Sequence, residues 1–198
     1  MDSERLKKQI DFIVEVDKLK NIYRQTLLMD GSRNENDAEH SWHLALMAMV
    51  LKEHSPKKDL DITKVLKMLL VHDLVEIYAG DTFCYDEKAN LDKAHRELVA
   101  AERLYSLLPS DQGQELRALW DEFEEKETPE ALFASSLDRL QPLICNYHTG
   151  GHTWVKYGIK SSKVIERNLP IKEGAPSLWE LVQDMVEDSI EQGILERD

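Results

Sequence analysis

The sequence predicts an all-α protein, a bundle of about seven or eight helices. Apolar residues recur at i, i+3, i+4 and i+7 along most of the chain. Only 8 Gly and 6 Pro punctuate 198 residues, so breaks are few. Alternating β-branched runs between Gly or Asn turns, the usual strand signal, are nearly absent.

The first helix spans residues 4–21, with Leu6, Ile10, Phe12, Ile13, Val16 and Leu19 on its periodic face. Residues 22–36 read as a loop. The second helix is capped by Asn36, with Glu39 three residues on completing a capping box, and ends near His54 ahead of Pro56. The third runs from about Asp61 to Ala79, where Gly80 stops it. A loop to about residue 88 precedes a fourth helix, 89–108, ended by Pro109. A fifth covers 110–126. Thr128 then caps a sixth with Pro129 in the first helical position, reaching 148. "TGGHT" breaks the chain, a seventh helix covers 153–167, and "APSLWELVQDMVEDSIEQGI" forms the last, with Ser177 and Glu180 as a further capping box. The four tryptophans, Trp42, Trp120, Trp154 and Trp179, fall among apolar neighbours and are expected in the core or at an interface. His148 and His152 flank two glycines and are expected in a loop rather than on one ligand-bearing helix face.

Hydrophobic residues make up 42% and charged residues 32% of the chain, enough apolar surface for a core without staples. Lys and Arg number 25 against 38 Asp and Glu, a formal charge of −13. Such a surface repels a phosphate backbone and argues against nucleic-acid binding, while a bound cation would still admit a small anionic substrate. Cys84 and Cys145 lack metal-type spacing and read as free thiols. No run approaches the roughly 18 apolar residues of a membrane span, and "MDSERLKKQIDF" carries no apolar leader core. The expectation is a cytoplasmic protein that does not contact membranes.

Three groups interrupt the apolar stripes. In the third helix, Ile62, Val65, Leu66 and Leu69 continue into Asp73 and Glu76, with His72 beside them and Asp81 just past the helix end. A buried carboxylate needs a cationic partner or a metal. Imidazole and carboxylate together suit Zn, Mn, Fe or Co, but for the doublet alone an interior His beside an Arg-paired Asp is the more ordinary reading. His40 lies in the first turn of the second helix, with His43 and Met47 following at i+3 and i+7. Asp138 is one of few acids in the apolar "ALFASSLDRLQPLICNYH", where Pro142 cannot donate to its carbonyl.

On "EHSWH", "HDLVEIYAGD" and "SSLDRLQP", in that order, the sequence resembles the HD-domain metal-dependent phosphohydrolases, and within them the HD-type 5′-deoxynucleotidases. The resemblance covers roughly residues 15–150. It implies an HD-domain helical fold, a single domain over 1–198 with C-terminal helices 153–195 packed on the core. It implies one divalent ion (Mn, Co, Zn, Fe or Mg) held by His40, His72, Asp73 and Asp138. The implied reaction is phosphomonoester hydrolysis of 5′-nucleoside (deoxy)monophosphates by a metal-activated water. Glu76 would act as general acid/base and Asp81 would face the substrate, also in a catalytic role. Arg24 and Arg33, ahead of His40, are the candidates to bind the phosphate. The bacterial nucleotidases have Trp directly after the first such Arg; Gln25 stands there in this chain, which leaves sugar choice open. Alternatives within the same resemblance are pyrophosphohydrolysis of an alarmone or other nucleotide, and a metal-bound nucleotide sensor without catalysis. A homodimer is expected, with the amphipathic last helix either at its interface or on the protein's own core.

Overall fold

The computed structural model describes residues 3–198. It is helical throughout apart from one small ribbon. Helix α1 (Ser3–Val16) runs into a 3-10 turn at Asp17–Asn21, followed by strands β1 (Tyr23–Leu27) and β2 (Asn34–Asn36). The expected loop at 22–36 is therefore an antiparallel ribbon, with Tyr23 opposite Asn36 and Leu27 opposite Asn34. Between these pairs one residue lies on β2 and three on β1, so the ribbon is bulged and twists. Its sequence, "YRQTLLMDGSRNEN", shows no alternation because the ribbon is held partly by side chains. Asn34 donates to the Arg24 carbonyl at 2.6 Å.

Helix α2 (Asp37–Leu51) begins at the expected capping box: Asn36 accepts from the Glu39 amide at 3.0 Å and Glu39 accepts from the Asn36 amide at 3.3 Å. Asp61 caps α3 (Ile62–Val71) through the Lys64 amide at 3.1 Å. Here the structure departs from a single helix to Ala79. His72–Val75 form a turn, and α4 (Glu76–Ala79) starts after it. The amides of Leu74, Glu76 and Ile77 bond three residues back, to Val71, Asp73 and Leu74, so the chain tightens to a 3-10 pitch where the His-Asp doublet lies. Gly80, at φ +76°, ends α4 in a conformation that an L side chain resists.

The predicted fourth helix is split into α5 (Glu87–Asn90) and α6 (Lys93–Tyr105), and α7 (Ser110–Glu125) and α8 (Pro129–His148) follow as expected. Thr128 caps α8 through the Ala131 amide at 3.2 Å. Gly150 and Gly151 both take positive φ and separate α8 from α9 (His152–Tyr157), which places His148 and His152 on different elements. Helices α10 (Ser161–Asn168), α11 (Ile171–Gly174) and α12 (Pro176–Glu191) complete the chain. The expected Ser177–Glu180 box is absent: α12 starts on Ala175 with Pro176 in the first turn, and Ser177 Oγ instead lies 2.8 Å from His54 Nδ1.

Two apolar clusters organise these helices. One gathers Leu44 of α2, Met68 and Leu69 of α3, Phe133 and Leu137 of α8, and Val182 of α12. The other joins Phe12, Val75, Leu104 and Trp120. Val71 belongs to the first cluster and Val75 to the second, so the turn carrying His72 and Asp73 is anchored at both ends by burial. Helix α12 buries Leu178, Trp179, Met185 and Val186 against the protein's own core. Trp120, Trp154 and Trp179 are buried, but Trp42 is 64% exposed, because it falls on the outer face of α2 with Met49 and Val50. Both cysteines are free thiols. Among the described residues no helix is long and apolar enough to cross a membrane.

Helix α11 packs hard on α8 through Gly174. A Cβ there would sit 2.3 Å from the Leu132 carbonyl oxygen and 2.3 Å from Ser136 Oγ. Gly174→Ala is expected to destabilise the fold by about 2 kcal/mol, lowering Tm by roughly 4–8 °C in a calorimetric scan. An unchanged Tm would mean that this contact relaxes freely.

Candidate metal and substrate site

The donors reach one point from three places. His40 comes from the first turn of α2, His72 and Asp73 from the turn after α3, and Asp138 from the middle of α8. His40 Nε2 lies 3.1 Å from Asp138 Oδ1 and 3.9 Å from Asp73 Oδ2. His72 Nε2 lies 3.2 Å from Asp73 Oδ1 and 3.7 Å from Asp138 Oδ1. Ligands about 2.0–2.2 Å from a common ion stand about 3–3.5 Å apart, so these separations suit a single small dication. His40, His72 and Asp73 each offer a donor atom within 4.8 Å of the others'.

The imidazoles are turned for this role. His72 Nδ1 lies 2.9 Å from the Leu69 carbonyl and His40 Nδ1 lies 3.1 Å from Gln141 Oε1. Each bond requires an Nδ1 proton, which leaves the Nε2 lone pair facing Asp138 and Asp73. His72 Nε2 is buried without a hydrogen-bond partner of its own, the state expected of an atom that accepts a metal. Gln141 is itself fixed, since its amide donates to Glu35 Oε1 at 2.7 Å and lies 3.3 Å from His43 Nδ1. The donor set therefore fits a divalent ion in both geometry and tautomer.

The electrostatics describe a site built to hold positive charge. Burial opposes a charge on His72, but Asp73 and Asp138 outweigh it and push the imidazole up to about 10. Burial likewise resists ionisation of Asp138, yet the hydrogen bond from His40 and the nearby His72 imidazole hold it well below the ordinary carboxylate range. Asp73 is held low against its burial by His72 and Arg24. A cation at this point would displace the His72 proton. The apparent affinity for Mn2+ or Co2+ is thus expected to rise between about pH 6 and 9, by up to tenfold per pH unit for each proton displaced. The metal-free fold has the opposite slope: the stability contributed by His72 is complete below about 6.5 and drains away as pH climbs toward about 10. Calorimetric titration in buffers of different ionisation enthalpy counts the protons. A pH-independent affinity with no proton release would contradict this arrangement.

Beside the donors lies a second acidic group. Asp37, Asp73 and Glu76 also bring one oxygen each within 4.8 Å. Burial, with Asp73 and Asp37 adding, raises Glu76 well above the usual range, and its Oε2 is buried without a partner. Burial and Asp73 push Asp37 up to about 7. Arg24, projecting from β1, spans the cluster at 3.0 Å from Asp73 Oδ2 and 3.2 Å from Asp37 Oδ1. Asp81, raised by burial, stands just beyond Gly80 and lines the same pocket as Arg24, Asp73, Glu76 and Asp138. The 79–90 loop that carries Asp81 is pinned by Arg96, which donates to the carbonyls of Ala79 and Ala89 and to Thr82 Oγ1.

Arg33 is not among the residues that line this pocket. It is 49% exposed and committed to Glu39, at 2.6 and 2.8 Å, where it supports the α2 cap. Sequence reasoning missed Glu35, Asp37 and Gln141. Glu35 and Asp37 sit in a polar run that reads as capping, and Gln141 is a lone amide next to Pro142. The clue available was that Asp37 and Gln141 precede and follow donor positions by three residues on their own helices.

The pocket is an open-mouthed cleft with a free volume of about 110 Å3. Beyond the acidic end its walls are Phe83, Cys84, Tyr85 and Trp154, with Lys93 and Asn146 among the polar groups. Gln25 is also on this wall and accepts from Tyr157 Oη and from Lys156 Nζ, which ties β1 to α9.

A helical bundle that presents His40, His72-Asp73 and Asp138 to one point defines a class, and the comparisons agree. Residues 16–179 match the HD domain, and the chain belongs to that family. A crystal structure of a "predicted metal-dependent phosphohydrolase" from Magnetospirillum magnetotacticum MS-1 superposes with a TM-score of 0.93 at 49% identity, covering 98% of this chain and 96% of that one. The human 5′-deoxynucleotidase HDDC2 is 32% identical over 136 residues, which cover 68% of this chain and 65% of that protein's length. The 5′-deoxynucleotidase ECA3034 of Pectobacterium atrosepticum is 30% identical over 121 residues, 58% of this chain and 60% of its own.

Proposed function

We propose that the chain is a divalent-metal-dependent phosphomonoesterase acting on 5′-nucleoside (deoxy)monophosphates. The observation that carries this reading is the convergence of His40, His72, Asp73 and Asp138 at metal-ligand separations, with Asp73 and Asp138 lining a pocket that also holds Glu76 and Arg24.

His40, His72, Asp73 and Asp138 would hold the divalent ion, which would supply Lewis-acid chemistry toward the phosphoryl group and the attacking water. The chain's own residues do the rest. Gln141 and the Leu69 carbonyl each hold a proton on Nδ1, so that Nε2 of both rings is the atom aimed at the ion. Glu76 Oε2, buried and free of partners, holds or takes up a proton next to Asp73. Arg24 offsets the negative charge of the phosphoryl group, and Asp81 orients the sugar side of the substrate. Phe83, Tyr85 and Trp154 give the nucleoside an apolar face. Glu76 and Asp81 count against a purely structural ion or a sensor, because neither is needed to hold the metal.

Phosphate release from a panel of ribo- and deoxynucleoside 5′-mono-, di- and triphosphates, with Mn2+, Co2+, Zn2+ or Mg2+ added to metal-stripped protein, tests the reading. Release from the monophosphates is expected, and the ribo/deoxy ratio reads the effect of Gln25. Silence toward monophosphates with metal stoichiometrically bound would overturn it. We further propose a cytoplasmic homodimer. Its interface is placed on the exposed apolar face of α2, Trp42, Leu46, Met49 and Val50, since α12 is occupied by its own core. A monomeric mass in solution would contradict the dimer.

A further inference from the structure

The protein is strongly acidic, and its surface arginines are generally paired: Arg33 with Glu39, Arg96 with Asp92, Arg117 with Asp121, Arg197 with Glu187. Two arginines of the pocket wall differ. Arg139 on α8 and Arg167 on α10 both line the pocket. Among the described residues, neither guanidinium stands within 4.0 Å of a carboxylate oxygen. Arg139 donates through one terminal nitrogen to the Arg167 carbonyl at 2.6 Å, which fixes it at the last turn of α10. Its Nε is buried and has no hydrogen-bond partner.

Two guanidiniums on one pocket wall, neither in ion-pair contact with a carboxylate, repel each other, and the burial of Arg139 adds to the cost. A phosphoryl dianion cancels that cost and matches two planar forks, whose donors here include the orphan Arg139 Nε. The pair is separate from Arg24, which is already engaged by Asp37 and Asp73 at the acidic end. The pocket thus has one cationic locus at the metal donors and a second on the α8–α10 wall.

We propose that Arg139 and Arg167 form a second anion subsite, which selects substrates bearing a phosphoryl group besides the one that is hydrolysed. The class that fits is a nucleoside 3′,5′-bisphosphate. This rests on the phosphomonoesterase reading above. In the reaction, water adds to one phosphorus, the P–O bond to the nucleoside 5′ oxygen breaks, and that oxygen leaves with a proton. The products are inorganic phosphate and a nucleoside that keeps its second phosphoryl group on the arginine pair.

The test compares kcat/KM for 2′-deoxyadenosine 3′,5′-bisphosphate and 2′-deoxyadenosine 5′-monophosphate in the metal-loaded parent and in Arg167→Gln and Arg167→Lys. Arg167 is chosen because, unlike Arg139, its side chain supports no helix end. The parent is expected to favour the bisphosphate by about tenfold or more, the size of one or two charge-assisted bonds. That ratio should fall toward one in Arg167→Gln and be partly retained in Arg167→Lys. A parent ratio near one, or a ratio untouched by Arg167→Gln, would overturn the subsite while leaving the phosphomonoesterase reading intact. If the metal-loaded parent hydrolyses neither compound, the phosphomonoesterase reading fails, and the subsite is judged by calorimetric binding to metal-free protein. Tighter binding of the bisphosphate in the parent but not in Arg167→Gln supports it; equal binding of both compounds overturns it.

Discussion

Asp73→Ala is expected to lose divalent-ion binding and to lower kcat/KM for the best substrate by on the order of a thousandfold or more, the consequence of removing several kcal/mol of charge stabilisation. Asp73 is the side chain common to both carboxylate groups. Its Oδ1 faces His72 at 3.2 Å, while its Oδ2 faces Arg24 at 3.0 Å and His40 at 3.9 Å. No neighbour can replace it. Asp138 approaches the imidazoles from α8, and Glu76 lies on the other side of Asp73, with Asp37. The substitution also leaves Arg24 with Asp37 as its near anion, so Arg24 should turn toward that partner. Metal content after dialysis and phosphate release, measured on the same preparation with its helical circular dichroism intact, check the prediction. An alanine variant that retains one ion per chain would remove Asp73 from the ligand set.

Glu76→Gln separates binding from chemistry. The amide keeps the size of the side chain in a site where Glu76 is only 4% exposed, and it cannot transfer a proton as the acid does. We expect the ion to be retained and kcat to fall by about 10²–10⁴, the usual worth of a positioned acid or base. Glu76 is raised far above the ordinary range by burial and by Asp73 and Asp37, so in the metal-free protein it carries a proton that the unfolded chain would already have lost. A raised acid contributes stability that is complete below its unfolded value of about 4.5 and is lost as pH rises toward its folded value. Glu76→Gln should therefore make the metal-free protein less sensitive to rising pH above about 5. Unchanged turnover in Glu76→Gln would remove the proton-transfer role.

The donors were legible in the sequence because each breaks an apolar stripe. His72, Asp73 and Glu76 follow Leu69, His40 precedes Met47, and Asp138 follows Leu137, so solvent could not account for them. The break at His72 was not legible. No Gly or Pro marks it, and residues three and four apart share a face at either pitch, so a 3-10 turn leaves the pattern almost unchanged. Arg139 stands next to Asp138 in the sequence. Its true surroundings depend on α10, which is nearly thirty residues further along, and no local pattern encodes that distance. The same holds for Gln141, whose value lies in the bond to His40 from another helix. Arg33 resembled a second phosphate ligand because it precedes His40 in sequence, but the bulged ribbon turns Arg24 inward and leaves Arg33 outside on Glu39.

The central claim is that one ion held by His40, His72, Asp73 and Asp138 is required for phosphate release. The most direct test titrates metal-stripped protein with Co2+, following the visible absorbance of the bound ion and the release of phosphate from 2′-deoxyadenosine 5′-monophosphate in parallel. The account predicts that both rise together and saturate at one equivalent per chain. Turnover in the stripped protein, or saturation of the absorbance with no turnover, would contradict it.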